Sequence, residues 1–266
     1  MRSTPYRNVI VFGESGVGKS SVINMVVGQD VAATSSDAMG CTFGSYAYAV
    51  EISGSNFQLF DTAGLNEATT VKPKDALTNL YKLVQSLRDG VSLLVYVVRG
   101  PRVKEFTVKN YKLFYDIFCQ KSVPIVLVVT GLELEASMDE WWDRNARVFS
   151  QHGMQFSGQA CITATKGKER KGVFMFEDEY EESRMKVADL ILKNSRATPW
   201  KMDPRMWLTV VVKKMWNSFA TMFNWPLATY SRSLYQALIQ IGGFSEKEAR
   251  DMSNRIVEGL QEGLQK

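Results

Sequence analysis

Asn8-Val9-Ile10-Val11-Phe12-Gly13-Glu14-Ser15-Gly16-Val17-Gly18-Lys19-Ser20-Ser21 is the stretch on which the fold of this chain turns. Residues 8–12 are apolar and β-branched, as in a buried strand, and 21–27 carry a helical pattern. Between them, Gly13 to Ser20 fits the spacing G-x-x-x-x-G-K-[ST]. A turn of this kind exposes backbone N–H groups to the α- and β-phosphates of a ligand and feeds into the positive end of a helix. Gly13, Glu14, Ser15, Gly16, Val17 and Gly18 would form the cradle, and Ser21 would close it. Lys19 would reach the β- and γ-phosphates, and Ser20 would ligate Mg²⁺. A solvated turn capping a helix is the plain alternative. It does not account for a lysine and a serine straight after the last glycine.

Composition narrows the setting. The 266 residues, 45% hydrophobic and 23% charged, can bury one α/β core with an appendage left over. With 32 Lys and Arg against 28 Asp and Glu, the net charge of +4 is too weak a field to imply nucleic acid. Cys41, Cys119 and Cys161 are odd in number and widely spaced, which suits a reducing compartment and no disulfide framework. Residues 1–13 enter a strand without a leader pattern, and no apolar run is long enough to span a bilayer. The expectation is a cytoplasmic protein. The single histidine, His152, lies in a turn-like Gln151-His152-Gly153 and has no second histidine with which to share a metal.

Apolar runs alternate with helical patterns, which predicts a mostly parallel sheet wrapped by helices. Strands are expected near 8–12, 45–52, 57–60, 92–98, 124–130 and 160–163. Helices are expected near 20–27, 75–88, 108–118, 138–150 and 177–193. The alternation of Tyr46 to Ile52, followed by Ser53-Gly54-Ser55-Asn56, predicts a hairpin that makes one antiparallel edge. The fold class is therefore α/β, a P-loop NTPase three-layer sandwich with a mostly parallel six-stranded sheet and a C-terminal helical appendage. Residues 1–198 would be the P-loop G domain and 199–266 the helical extension. In the extension, Asp203-Pro204 reads as an N-cap with proline at the first helical position. Leu208, Val211, Val212, Met215, Phe219 and Met222 form a helical stripe, and Ser245 with Glu248 forms a capping box.

A second motif follows the strand at 57–60, namely Asp61-Thr62-Ala63-Gly64. The carboxylate of Asp61 could hold Mg²⁺, and the Gly64 N–H could meet a γ-phosphate without side-chain interference. Thr42, at the end of the polar stretch 32–42, could complete the Mg²⁺ shell, with Thr34 as its rival. Ser20, Thr42 and Asp61 are thus the metal candidates. Lys19, Thr42 and Gly64 are the candidates for catalysis.

These residues resemble the TRAFAC-class P-loop GTPases, with P-loop, switch threonine and DTAG in order across roughly residues 6 to 195. Within that class, GESGVGKS, Cys41-Thr42 and Asp61-Thr62-Ala63-Gly64-Leu65 look like the AIG1/immunity-associated, chloroplast-import receptor and septin branch, and like fungal G-domain-containing proteins. The resemblance implies a GTP/GDP switch with Mg²⁺, in which Thr42 and the segment after Gly64 respond to loss of the γ-phosphate.

Two departures from that family pattern matter. Its base-reading motif [NT]-K-x-D is replaced here by Thr130-Gly131-Leu132-Glu133, which puts a glutamate in the carboxylate slot and removes the lysine. Thr130 and Glu133 remain candidates for the base, as do Thr163, Ala164 and Thr165, whose segment resembles the SAK-type loop. GTP is the expected ligand, with ATP or a promiscuous site as the alternative. Leu65, moreover, stands where Ras-like enzymes place a water-orienting glutamine, so hydrolysis should be slow, at or below the order of 10⁻⁴ s⁻¹ of unassisted Ras. Arg99 and Arg102 flank Gly100-Pro101 and read as solvated loop arginines, with a trans-acting finger as the sharper alternative.

Two function classes follow. One is a regulated GTPase stimulated by dimerisation or a partner; the other is a nucleotide-dependent assembly or interaction module with negligible hydrolysis. A P-loop kinase is weaker, because no acceptor pocket is evident. Homodimerisation through the nucleotide face or the C-terminal helices is the partner expectation. The aromatic and basic 200–241 region is read first as a structural cover. Contact with a membrane surface is the less favoured alternative.

Overall fold

The computed structural model describes residues 5–32, 46–62, 89–100 and 105–201, together with scattered positions between 83 and 87 and between 207 and 254. The chain divides into two compact units, Met1–Asn66 with Asp89–Trp200, and Glu67–Arg88 with Lys201–Lys266.

The first unit runs β1 (Arg7–Phe12), α1 (Lys19–Val27), β2 (Tyr46–Ile52), β3 (Ser55–Asp61), β4 (Leu93–Arg99), α2 (Glu105–Tyr111) leading into a π-helical stretch (Lys112–Phe118), β5 (Ile125–Thr130), α3 (Met138–Gln151), β6 (Gln159–Cys161), β7 (Glu169–Arg170), β8 (Val173–Phe174) and α4 (Glu177–Asn194). Six strands form one sheet in the order β2-β3-β1-β4-β5-β6. Every pairing in it is parallel except β2 with β3. Composition explains the placement. The central β4 and β5 read LLVYVVR and IVLVVT and are buried almost throughout, as strands covered on both faces must be. Edge strand β2 alternates exposed with half-buried residues. Its hairpin with β3 turns on Ser53 and Gly54, both at positive φ (47° and 76°), the geometry of a two-residue loop that matches strand twist.

The sheet separates two apolar layers. On one face, Val9, Val11, Val95, Val97, Val126 and Val128 join Val22 and Ile23 of α1 and Val187 and Ile191 of α4. On the other, Phe12 stacks on Tyr96 at 4.6 Å and on Phe114 at 4.2 Å. Phe149 of α3 meets Phe156 at 5.8 Å, and Phe156 lies 6.5 Å from Tyr96. Helices on both faces of a parallel sheet make the expected three layers.

Three local features depart from the sequence reading. The helix expected at 108–118 begins at Glu105 and widens into i to i+5 bonding, with Cys119 N–H donating to Phe114 O at 2.9 Å. In this wider turn Phe114 and Phe118 both reach the interior. Strand β6 stops at Cys161, because the Thr163 N–H is taken by Ser183 Oγ at 3.2 Å. The hairpin β7–β8 adds two strands of two residues, which leave almost no alternation in the sequence. Lys171-Gly172, at φ 55° and 82°, is the signal that was there.

After α4 the chain returns to the sheet, where Trp200 and Val91 exchange backbone hydrogen bonds of 2.8 Å. His152 is the C-cap of α3. Cys119 and Cys161 are buried thiols without a disulfide, and burial pushes Cys161 up to about 11; Cys41 lies outside the described residues.

In the second unit the capping box forms as read. Ser245 N–H donates to Glu248 Oε2 at 2.9 Å, and Glu248 N–H donates back to Ser245 Oγ at 3.3 Å. The apolar stripe from Leu208 to Met222, the Asp203-Pro204 cap and most of the 75–88 helix lie outside the described residues. Among the described residues no helix is long and apolar enough to cross a membrane.

Candidate functional site

Parallel pairing puts the carboxyl ends of β1, β3, β4, β5 and β6 along one edge, where ligands of open α/β sheets bind. The loop after β1 lies there. Val11 pairs with Asp61, so the P-loop and the DTAG start emerge side by side. The Thr62 hydroxyl clamps them together by donating to Val11 O at 3.0 Å.

Glycine is required at the first loop position. Gly13 has φ 154°, and a Cβ there would sit 2.1 Å from the carbonyl oxygen of Val97. Gly18 is the N-cap of α1, at φ 95°, with no side-chain cap. The first turn of α1 carries no acidic residue, whereas α3 opens with Asp139 and Glu140 and α4 with Glu177, Asp178 and Glu179. Acidic side chains usually neutralise a helix's positive end. Here that end is left for an anion. Lys19 is only 8% exposed, and its ammonium donates to Gly13 O at 3.1 Å and to Glu14 O at 2.9 Å. The charge is thereby held over the mouth of the loop.

Ser20 Oγ donates to Asp61 Oδ2 at 2.8 Å, with Asp61 only 3% exposed. A hydroxyl and a carboxylate at the head of this helix are hard oxygen donors that suit Mg²⁺. Thr34, Thr42, Gly64 and Leu65 lie outside the described residues. Among the described residues no cluster of His, Cys, Asp and Glu forms a separate metal site.

The base-side candidates divide by role. The Thr130 hydroxyl lies 2.6 Å from Val17 O, and its methyl faces Gly18, so it braces the cradle from β5. Leu132 is buried against Gly100, where an added Cβ would come within 2.8 Å of it. Two glutamates follow. Glu135 is engaged by Arg144 at 2.6 Å. Glu133 Oε2 is buried and accepts no hydrogen bond among the described residues. In the loop after β6, the Thr163 hydroxyl donates to Thr165 O at 3.1 Å, and Gly167 N–H donates to Thr165 Oγ1 at 3.0 Å. The Thr163 and Thr165 N–H groups are satisfied internally, which leaves the Ala164 N–H as the donor at the tip.

This geometry and the comparisons with known proteins agree. Residues 8–130 match the family model described as 50S ribosome-binding GTPase. The fold is that of the P-loop GTPases. The chain is 29% identical over 106 residues to GTPase Der of Halothermothrix orenii, covering 39% of this chain and 24% of that protein. The matches to the first curated relatives span only 24%, 28% and 41% of their lengths. Among solved folds, a structure of the chloroplast translocon components atToc33 and psToc159, for which dimerization is important for the GTPase activity, gives a TM-score of 0.51 at 18% identity, covering 73% of this chain and 86% of that one. Era in complex with MgGDPNP and a 16S ribosomal RNA segment gives 0.50 at 18%, covering 79% and 66%.

Three features of this unit have no signature in the sequence. Thr107 of α2 donates to Glu14 Oε1 at 3.4 Å, and its carbonyl accepts from the buried Tyr96 hydroxyl at 2.6 Å. Burial also pushes the Tyr96 phenol well up, so it stays a donor. Asn24 clips the chain leaving α1: its Oδ1 accepts from Val31 and Ala32, and its amide donates to Ala32 O. Lys166 is drawn over the rings of Phe174 and Tyr180 at 5.5 and 5.2 Å. The Thr107–Glu14 contact joins segments 93 residues apart, and the Asn24 and Lys166 contacts follow no periodic pattern that the sequence displays.

Proposed function

We propose that this chain binds guanine nucleotide with Mg²⁺ and acts as a GTP/GDP switch with slow intrinsic hydrolysis of GTP to GDP and phosphate, stimulated by dimerisation or a partner. The observation that carries the guanine reading is the buried Glu133 Oε2 with no hydrogen-bond partner among the described residues. A buried acceptor left without a donor costs about 1–3 kcal/mol, and the N1 and N2 hydrogens of guanine would supply two. Adenine presents no such pair, so a site built around this carboxylate discriminates against it. The Ala164 N–H at the tip of the facing loop would donate to the guanine oxygen.

Gly13 to Gly18 would cradle the phosphates, with Lys19 moving from its two carbonyls onto the β- and γ-phosphates. Ser20 and Asp61 would hold Mg²⁺, joined by Thr42. Mg²⁺ held by these residues would supply charge neutralisation at the phosphates. Glu133→Ala is expected to lower GTP and GDP affinity at least tenfold and leave ATP affinity unchanged, as read by competition against a fluorescent GDP analogue. ATP binding as tight as GTP in the wild type, with no effect of Glu133→Ala, would remove the guanine assignment.

Slow hydrolysis rests on Leu65, an aliphatic side chain that cannot orient water. That dimerisation matters for GTPase activity is said of the chloroplast translocon proteins. Applied here, it predicts turnover per molecule that rises with protein concentration. GTP persisting unchanged at high concentration would favour a binding or assembly module instead.

A further inference from the structure

The base site described above has a floor but, within its own loop, no cover. Gly131, between Thr130 and Glu133, is at φ 78° and contributes no side chain. The space over its Cα is nonetheless filled. A Cβ built on Gly131 would meet Arg99 Cγ at 3.1 Å, Nε at 3.2 Å and Cδ at 3.7 Å. Arg99, the last residue of β4, is registered against Thr130 of β5, and the Gly100 N–H donates to Thr130 O at 2.9 Å. Its backbone is therefore fixed by the ladder while its side chain crosses the base-reading loop. The guanidinium is exposed, and among the described residues no carboxylate lies within ion-pair distance of it.

We infer that Arg99 covers the nucleobase, supplying from β4 the packing surface that Gly131 cannot. This deepens the guanine reading and rests on it. The chemistry suits the task. A guanidinium is planar, weakly hydrated for a cation and stacks on aromatic faces, and its aliphatic stem adds apolar contact. A purine held by Glu133 at its edge and by Ala164 at its oxygen needs such a face. An arginine already paired with an acid would give up that partner to stack; among the described residues Arg99 has none to give up. The same contact explains why Gly131 is tolerated: a side chain there would displace Arg99 and would also be strained at positive φ.

The test compares ligands with and without a base. GDP, ADP and inorganic tripolyphosphate are titrated into the full chain, the Arg99→Ala and Arg99→Lys variants, and Glu133→Ala in parallel, with thermal midpoints as the folding control. Arg99→Ala should lose about tenfold in GDP affinity and leave tripolyphosphate within twofold of wild type. Arg99→Lys, which keeps stem and charge but not the planar group, should fall between the two.

Unchanged GDP binding in Arg99→Ala, while Glu133→Ala loses guanine preference, would overturn the cover and leave the base site standing. Equal loss of GDP and tripolyphosphate would also overturn it, since the arginine would then serve phosphates or the fold. So would normal affinity combined with lost turnover at high protein concentration, which would make Arg99 a group acting on a second copy. If Glu133→Ala leaves guanine preference intact, the base-site reading fails, and the cover falls with it.

Discussion

Lys19→Ala is expected to abolish nucleotide binding, with GTP and GDP affinity falling at least a hundredfold, or about 3 kcal/mol, the scale of charge-assisted hydrogen bonds to phosphate. Lys19 is 8% exposed, and its ammonium spans the carbonyls of Gly13 and Glu14. Its removal therefore has two consequences of different size. Gly13 O is buried and Glu14 O part-buried, so leaving them without this donor should lower stability by about 1–2 kcal/mol. Binding loses its main cation.

A thermal-shift titration separates the two. At a hundredfold excess over Kd, ligand stabilises the native state by about 2.7 kcal/mol, and the wild-type midpoint should rise accordingly. Lys19→Ala should melt slightly lower than wild type and show no rise at the same nucleotide concentration. A variant that still gained the full shift would show that the phosphates sit elsewhere, and the reading of Gly13 to Ser20 would be lost.

The elements legible in the sequence are those whose cause is local. The buried strand β1, the glycine turn and α1 follow one another within a short span, and the Ser53-Gly54 turn and the Ser245–Glu248 box have their own signatures. The nearness of Ser20 to Asp61 is readable because two motifs that each follow a parallel strand must emerge at the same sheet edge. Other features depend on long-range packing. Thr130 opens the base-reading motif, and its hydroxyl is fixed by Val17 O across a large sequence separation. Arg99 read as a solvated loop residue because nothing in Val98-Arg99-Gly100 reveals that its stem lies over Gly131. The π-helical stretch at Lys112–Phe118 is invisible to a pattern tuned to a 3.6-residue period.

Among the described glycines, Gly13→Ala should be the most damaging single-methyl change, lowering stability by about 3 kcal/mol or more. The added Cβ would fall 2.1 Å from Val97 O, a main-chain atom with no rotamer through which to escape. Val97 lies within β4, which is paired to β1 through Val11–Val95 and Phe12–Tyr96 and to β5 through Val97–Val128. Relief requires either separating β1 from β4 or lifting the start of the loop away from the sheet. The first breaks the centre of the core, and the second moves the cradle off α1.

Gly16→Ala is the matched control. It too has positive φ, 76°, but an added Cβ there meets nothing within 4 Å, so only the left-handed backbone cost of about 1–2 kcal/mol applies. In a domain of this size 1 kcal/mol corresponds to about 2–4 °C, which places Gly13→Ala some 6–12 °C below wild type and Gly16→Ala clearly above it. If the two variants melted together, the close approach of the loop to Val97 O would be wrong, and with it the geometry that aims the loop's N–H groups at a phosphate.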